Sequence, residues 1–347
     1  VTRHRRAAAA LLAVVLVASC SHGKKPQPNA LPTNGVPSVT PTASAKPKPT
    51  PTKVGLLSPF TGLPIDRLRP VLAIKIDNAV LARPQRGLDE ADIVYEEAVE
   101  GRTTRFLAIF SSRSSNDIGP VRSVRESDLP LLRMYGRVAF GFSGGNTGVV
   151  AIVRQNPVIN VSYDNNPRAY TIAGRRRDAY NFITSTSRLL ALAPQSALAS
   201  DIGLRFGALP PKGAVGATSI SVVWSRFAHT SWKWDPAHRV YLRSMDGRPA
   251  MLRNGHQQSS PNVLIQYVRV RNSHFSDVHG APSPYTTTTG TGNATLMRDG
   301  RAINGTWRRD GLGKTHFIDR STGKDMLLHA GPVWVMLVPN DTRATIT

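Results

Sequence analysis

The chain has 347 residues and a formal charge of +22, from 44 Lys and Arg against 22 Asp and Glu. That length allows roughly two domains, and a single Cys excludes an internal disulfide, so the fold must rest on an ordinary apolar core. The basic excess draws the protein to polyanions such as anionic headgroups, phosphate-bearing wall polymers or nucleic acid, although Arg outnumbers Lys and Glu stops after Glu126, so part of the excess is compositional.

Residues 1–19 read as a signal peptide. Arg3, Arg5 and Arg6 precede the apolar run from Leu11 to Val17, and small residues follow up to Cys20. The run is too short to span a bilayer, and no second apolar run approaches that length. Val17-Ala18-Ser19-Cys20 resembles the lipobox of bacterial lipoproteins. The resemblance implies cleavage before Cys20 and a diacylglyceryl anchor on its thiol. The protein is then expected on the outer face of the cytoplasmic membrane, where nucleic acid is not an expected partner. Residues 20–54 hold this Cys and a Pro/Thr/Lys-rich tether with almost nothing to bury, hence disordered and partly polyproline II. About thirty such residues at about 3 Å each reach on the order of 100 Å, far enough to enter the cell wall.

From residue 55 to about 205, short apolar runs alternate with helical patterns. Val71 to Asp77, Asp92 to Tyr95 and Arg105 to Phe110 predict buried strands. Ser127 is placed to cap a short helix with Pro130 in its first turn. Arg137 to Phe142 predicts a strand, and Thr147 to Gln155 and Thr184 to Ala193 predict helices. Residues 206–217 form a Pro/Gly-rich linker. Beyond it, from 218 to 347, Ile220, Val222 and Trp224 alternate, as do Trp232 and Trp234. Asp246-Gly247, Asp299-Gly300 and Asp310-Gly311 are hairpin signals. The expected fold is α+β: an N-terminal α/β domain with a mixed sheet over 55–205, followed by a β-rich C-terminal domain.

Several stretches carry a resemblance. Asp77-Asn78, Ala82-Arg83-Pro84-Gln85, Gly87-Leu88, Ala91 to Glu96, Glu100-Gly101, Thr104-Arg105-Phe106 and Ile118 to Arg125 are similar to the YerB-like lipoprotein family, built on domain of unknown function 3048. Arg298-Asp299-Gly300 to Gly305-Thr306-Trp307 resembles the family's C-terminal part. The likeness covers essentially residues 55–347. It implies an extracytoplasmic lipoprotein and brings no established activity with it.

The residues themselves suggest chemistry in three places. Arg83, Arg105, Arg122 and Arg125, with Ser123, form a constellation suited to bidentate binding of phosphate or carboxylate. A structural reading stands beside it, in which these arginines pair internally with Asp77, Asp92, Glu96, Glu97 and Glu100. Gly141-Phe142-Ser143-Gly144-Gly145 has the form of a nucleophile elbow, with Ser143 as its candidate nucleophile. Asp164 or Asp178 with His229 or His238 would complete it. The same glycine turn also suits an amide nest for an anion at a helix N-terminus. The carboxylates Asp89, Asp92, Glu96, Glu97 and Glu100 suit glycoside hydrolysis or a divalent cation, with Glu96 and Glu100 on one strand face. His274-x-x-Asp277-x-His279 lacks a known zinc spacing, so no metal and no cofactor is expected. The five tryptophans all lie in the second half and suit a β core or sugar stacking.

The reading these features support is a binding or scaffolding factor for an anionic envelope ligand. The expected partners are an anionic wall polymer, a lipid-linked phosphate or an envelope protein. The alternative is an envelope hydrolase or transferase acting on wall glycan or phosphodiesters.

Overall fold

Three of the apolar runs become the adjacent strands β1 (Leu72–Asp77), β2 (Ile93–Ala98) and β3 (Thr104–Phe110), with β3 antiparallel between the other two. The computed structural model describes residues 55–174, 181–210, 212–277 and 280–347. Cys20, Asp178 and His279 lie outside them, as do the signal peptide and the tether. β4 (Ala139–Gly141) and β5 (Ile159–Asn160) continue the sheet in parallel with β1. The carboxyl ends of β1, β2 and β4 therefore share one edge of the sheet.

The second half of the chain builds a second sheet and also extends the first. β6 (Ser219–Ser225), β7 (Ala228–Asp235) and β8 (Val240–Met245) form an antiparallel meander. β9 (Asn262–Ser276), β10 (Gly290–Arg298), β11 (Arg301–Arg309), β12 (His316–Asp319) and β13 (Val333–Pro339) instead join the first sheet, whose order is β12-β11-β10-β9-β13-β2-β3-β1-β4-β5. β2 and β13 pair in parallel from Ile93↔Val333 to Glu97↔Leu337. β14 (Arg343–Ile346) closes the meander against β6.

The mixed sheet and the β-rich second half are as expected. The 206–217 stretch, however, is drawn into the fold and is not a free linker. Arg205–Phe206 pairs with Leu327–Leu328, and Ala214–Gly216 pairs with β11. The described residues form one compact unit.

The large sheet is covered on both faces. On one, Ile74, Ile76, Phe106 and Trp334 meet Val222, Trp224, Trp232 and Tyr241 of the meander. On the other, Val71, Ala73, Leu107 and Ile109 meet Leu131 and Leu132 of α1 (Asp128–Leu132) and Val149 and Val153 of α2 (Thr147–Gln155). Burial on both faces removes alternation, so every residue of β1 is buried, while β6 alternates because its outer face meets water. Trp224, Trp232, Trp307 and Trp334 are core residues and offer no surface for sugar stacking.

Local chemistry follows the sequence with two exceptions. Asn146 caps α2 by accepting from the Gly148 amide, and Ser185 caps α3 (Thr186–Ala191) by accepting from Arg188. Ser127 makes no such bond. Instead the Asp128 carboxylate accepts from the Arg125 amide at 2.7 Å, turning the chain into α1. Asp246-Gly247 and Asp299-Gly300 both have positive φ at the two turn residues, as a two-residue hairpin with right-twisted strands requires. Asp310-Gly311 opens a longer loop between β11 and β12.

Candidate functional site

Register brings the charged residues together. Asp77, Arg105 and Glu97 are cross-strand partners on β1, β3 and β2, so their side chains leave the sheet on one face. Lys75, two residues before Asp77, shares that face. The segment from Val121 to Arg125 is laid across this edge: Arg122 donates its amide to the Lys75 carbonyl, and its own carbonyl accepts from Ser143.

A cleft of about 620 Å³ results, lined by Arg105, Arg122, Ser123, Arg125 and Glu100 from the first half of the chain. Gly145, Asn146 and Thr147 bring the N-terminus of α2 to its wall, and Ser276, Asp277 and Ser283 close it from the second half. It lies at the carboxyl ends of parallel strands, where ligands of open α/β sheets characteristically bind.

The three arginines are held differently. Arg122 Nε stands 3.0 Å from Asp77 Oδ2. Arg125 Nη2 donates to Glu100 Oε2 at 2.6 Å, and its Nη1 donates to the Val124 carbonyl. Glu100 also accepts from the Ser283 hydroxyl. Burial pushes the Glu100 carboxyl up, but the Arg125 hydrogen bond and charge, with Ser283, more than reverse this and bring it down to about 2.

Arg105 is the exception. Its side chain is only 11% exposed, and its ion pairs to Asp77 and Glu100 are both 3.7 Å long. Among the described residues it makes no hydrogen bond, and Nε and Nη1 are buried without an acceptor there. Burial, then the positive charge of Arg125 and more weakly of Arg122, pulls it down to about 10 against the opposing Asp77 and Glu100. A buried donor without an acceptor is costly and uncommon in a native fold.

Beneath the cleft Lys75, 0% exposed, is shared by two carboxylates: its Nζ bonds Glu97 and stands 2.7 Å from Asp128 Oδ1. Burial raises the Glu97 carboxyl to about 7, with the neighbouring Asp128 adding to the effect and Lys75 opposing it. Neither Lys75 nor Asp128 stood out as a functional candidate. The available signal was a lysine in the middle of the apolar strand LAIKID.

Arg83 does not join the other arginines. It donates to the Asn78 carbonyl and, at 2.6 Å, to Asp246, and it lines a second cleft of about 560 Å³ with Gln85, Arg243 and Met251. The cause is the strand pleat, which sends Asp77 and Asn78 in opposite directions at the end of β1.

The carboxylates also separate. Glu96 is buried against Arg243, Asp92 accepts from the Ser111 and Ser112 amides, and Glu100 sits in the arginine cleft. Glu96 and Glu100 share no strand face, because β2 ends at Ala98 and the chain turns at Gly101 with φ of +68°.

Ser143 follows β4 and precedes α2, as an elbow should. Its amide already donates to the Arg122 carbonyl, and the Gly144 amide donates to Asp164 Oδ2 at 2.7 Å. The Ser143 and Gly144 amides, the ones an oxyanion hole at this elbow would use, are engaged internally. His229 and the turn residue His238 belong to the meander, and His238 pairs with Asp235 at 2.6 Å. Among the described residues, no group of three His, Cys, Asp or Glu side chains could hold a metal ion, and Asp277 faces the arginine cleft instead.

Residues 60–199 match the family model for the N-terminal domain of a protein of unknown function, DUF3048, and residues 220–335 match the model for its C-terminal domain. YerB of Bacillus subtilis (strain 168), whose name marks it as a candidate lipoprotein, is 27% identical over 304 residues, covering 84% of this chain and 89% of that protein. The crystal structure of YerB from Bacillus subtilis superposes with a TM-score of 0.71 at 25% identity, over 84% of this chain and 99% of the solved one.

Proposed function

Since the chain belongs to the DUF3048 family, carrying its N- and C-terminal parts in order, we propose that it is a membrane-anchored extracytoplasmic lipoprotein whose arginine cleft binds an anionic group of an envelope ligand. Cys20 is the proposed lipid attachment site, by its lipobox-like context and by the lipoprotein name of the Bacillus relative. A phosphate of a wall polymer or of a lipid-linked precursor is the ligand chemistry that suits the cleft.

The observation that carries this reading is Arg105. Its guanidinium is held almost out of water beside two other arginines, with donors left without acceptors. A phosphate or carboxylate entering the cleft would accept from it, offset the crowding of positive charge, and meet the N-terminus of α2, whose dipole favours an anion. The role is binding without turnover. Ser283 does donate to Glu100 on the cleft wall, but a carboxyl that Arg125 brings down to about 2 is a poor base for that hydroxyl.

The test is a thermal-shift titration of a soluble form of residues 53–347 against glycerol-phosphate wall polymer, polyprenyl phosphates and peptidoglycan fragments. One anionic class is expected to stabilise the wild type in a salt-sensitive way and to leave an Arg122→Ala/Arg125→Ala variant unshifted. A variant that responds as the wild type does would sink the reading.

A further inference from the structure

Val80 lines the second cleft, and exposed apolar side chains continue from it along the chain at Leu81 and recur at Phe227, two residues before His229, whose amide bonds Asp246 of the same cleft. Leu81, Val80 and Phe227 are 76%, 71% and 67% exposed, the three highest values among the large hydrophobic side chains of the described residues. Val80 and Leu81 lie in the turn after β1, and Phe227 is at the tip of the β6–β7 hairpin. One aspartate ties the two together. Asp246 accepts from Arg83 Nη1 through Oδ2 and from the His229 amide through Oδ1. Val80, Arg248 and Met251 line the cleft between them.

Apolar side chains left this far in water mark a contact surface when they are grouped. The charge around them says of what kind. Arg226 and Arg248 are exposed and form no ion pair among the described residues, and the Arg226 guanidinium lies 4.4 Å over the Phe227 ring. Asp246, the carboxylate at the centre, is already committed to Arg83. Protruding apolar tips flanked by unpaired arginines are the composition that interfacial membrane elements use.

We propose that this surface is a bilayer-contact site, with Val80, Leu81 and Phe227 at the headgroup–acyl boundary and Arg226 and Arg248 against anionic phospholipid headgroups. It goes beyond the arginine-cleft reading and rests on the membrane location contained in it. Charge complementarity selects this occupant. An apolar protein surface would leave both arginines desolvated without a counter-charge, whereas an anionic leaflet supplies headgroup phosphates directly above the acyl region. The contact would act beside the lipid on Cys20, setting how the folded unit lies against the leaflet and not supplying the anchor itself.

The test uses the soluble form of residues 53–347, a compact unit with its own core and without Cys20. It is sedimented with vesicles of phosphatidylglycerol and phosphatidylcholine, and with vesicles of phosphatidylcholine alone. Binding to the anionic vesicles is expected, weakened by salt. Leu81→Ser/Phe227→Ser should lower it roughly tenfold or more with an unchanged melting temperature, because both side chains are exposed. Arg226→Gln/Arg248→Gln should remove the preference for anionic lipid.

Absence of binding overturns the proposal, as does equal binding by the Leu81/Phe227 variant. A wild-type dimer that this variant converts to monomer would assign the surface to a second copy of the chain. The Arg122→Ala/Arg125→Ala variant should bind vesicles normally. Its failure to do so would move vesicle binding to the arginine cleft, overturning this proposal while leaving the cleft reading intact.

Discussion

Replacing Glu96 by Ala is expected to cost the fold about 3–5 kcal/mol, the usual penalty for leaving a buried charge without its partner. Glu96 Oε1 accepts from Arg243 Nη2 at 2.7 Å and from the Thr104 and Thr230 hydroxyls, and Oε2 accepts from the Trp334 indole. Arg243 is 0% exposed, with its guanidinium 5.1 Å and 5.2 Å from the Phe106 and Trp334 ring centroids. Burial already pulls the Arg243 guanidinium down, and Glu96 is what opposes this. Because Glu96 is on β2 and Arg243 on β8, the pair also joins the large sheet to the meander. Urea unfolding of Glu96→Ala should show the loss as a shifted midpoint. A Glu96→Leu/Arg243→Met variant should recover most of it, since a buried pair replaced by apolar groups of similar volume is often neutral. A single variant within about 1 kcal/mol of wild type would mean that water reaches Arg243.

Lys75→Met should have an effect of similar size, about 3–5 kcal/mol near neutral pH, with a distinctive pH dependence. The substitution leaves Glu97 and Asp128 facing each other in the core. In the wild type the Glu97 carboxyl is raised from an ordinary 4.5 to about 7, by burial first and by Asp128 second. A carboxyl raised in the folded state holds its proton more tightly there than in the unfolded chain. Its contribution to stability therefore falls as pH climbs from about 4.5 to about 7. Glu100, lowered to about 2, acts in the opposite sense: its contribution is present above 4.5 and is lost as pH falls toward 2. Without Lys75 the raised carboxyl rises further, so the variant should be close to wild type near pH 5 and fall away steeply toward pH 8. Parallel melting curves for the two proteins across this range would show that Lys75 does not neutralise the pair.

Much of the first half was legible because burial on both faces writes strands as unbroken apolar runs. β1, β2 and β3 appear within a few residues of their observed bounds, and α2 appears at its full extent because Asn146 and the glycines before it mark its start. What local pattern cannot carry is pairing at a distance. Nothing near Ile93 announces that β2 will lie beside β13, some 240 residues away, and so the 206–217 stretch reads as a linker between domains that in fact share a sheet. The arginine motif illustrates the same limit. Arg105, Arg122 and Arg125 converge because β3 and the 121–125 segment meet at the end of β1, whereas Arg83, close in sequence, leaves from the opposite face after Asn78. Glu100 was legible among the acids that these arginines could pair with, but its meeting Arg125 in particular required the turn at Gly101. Lys75 and Arg243 show what charge within an apolar strand means here: a buried pair, not a register error.

Arg105 distinguishes the two accounts of the cleft. If the arginines only pair internally, Arg105 stabilises the fold through Asp77 and Glu100. If the cleft is kept for an anion, Arg105 is a strained, crowded cation whose removal relieves the fold and abolishes binding, the trade-off expected of a functional site. The decisive measurement is therefore a paired one on Arg105→Met: its melting temperature, and its calorimetric affinity for the anionic polymer that stabilises the wild type. The binding account predicts a melting temperature equal to or above wild type with affinity reduced at least about tenfold, the loss of one charge-assisted contact. A variant that melts well below wild type and binds the polymer unchanged would contradict it and make Arg105 part of the scaffold.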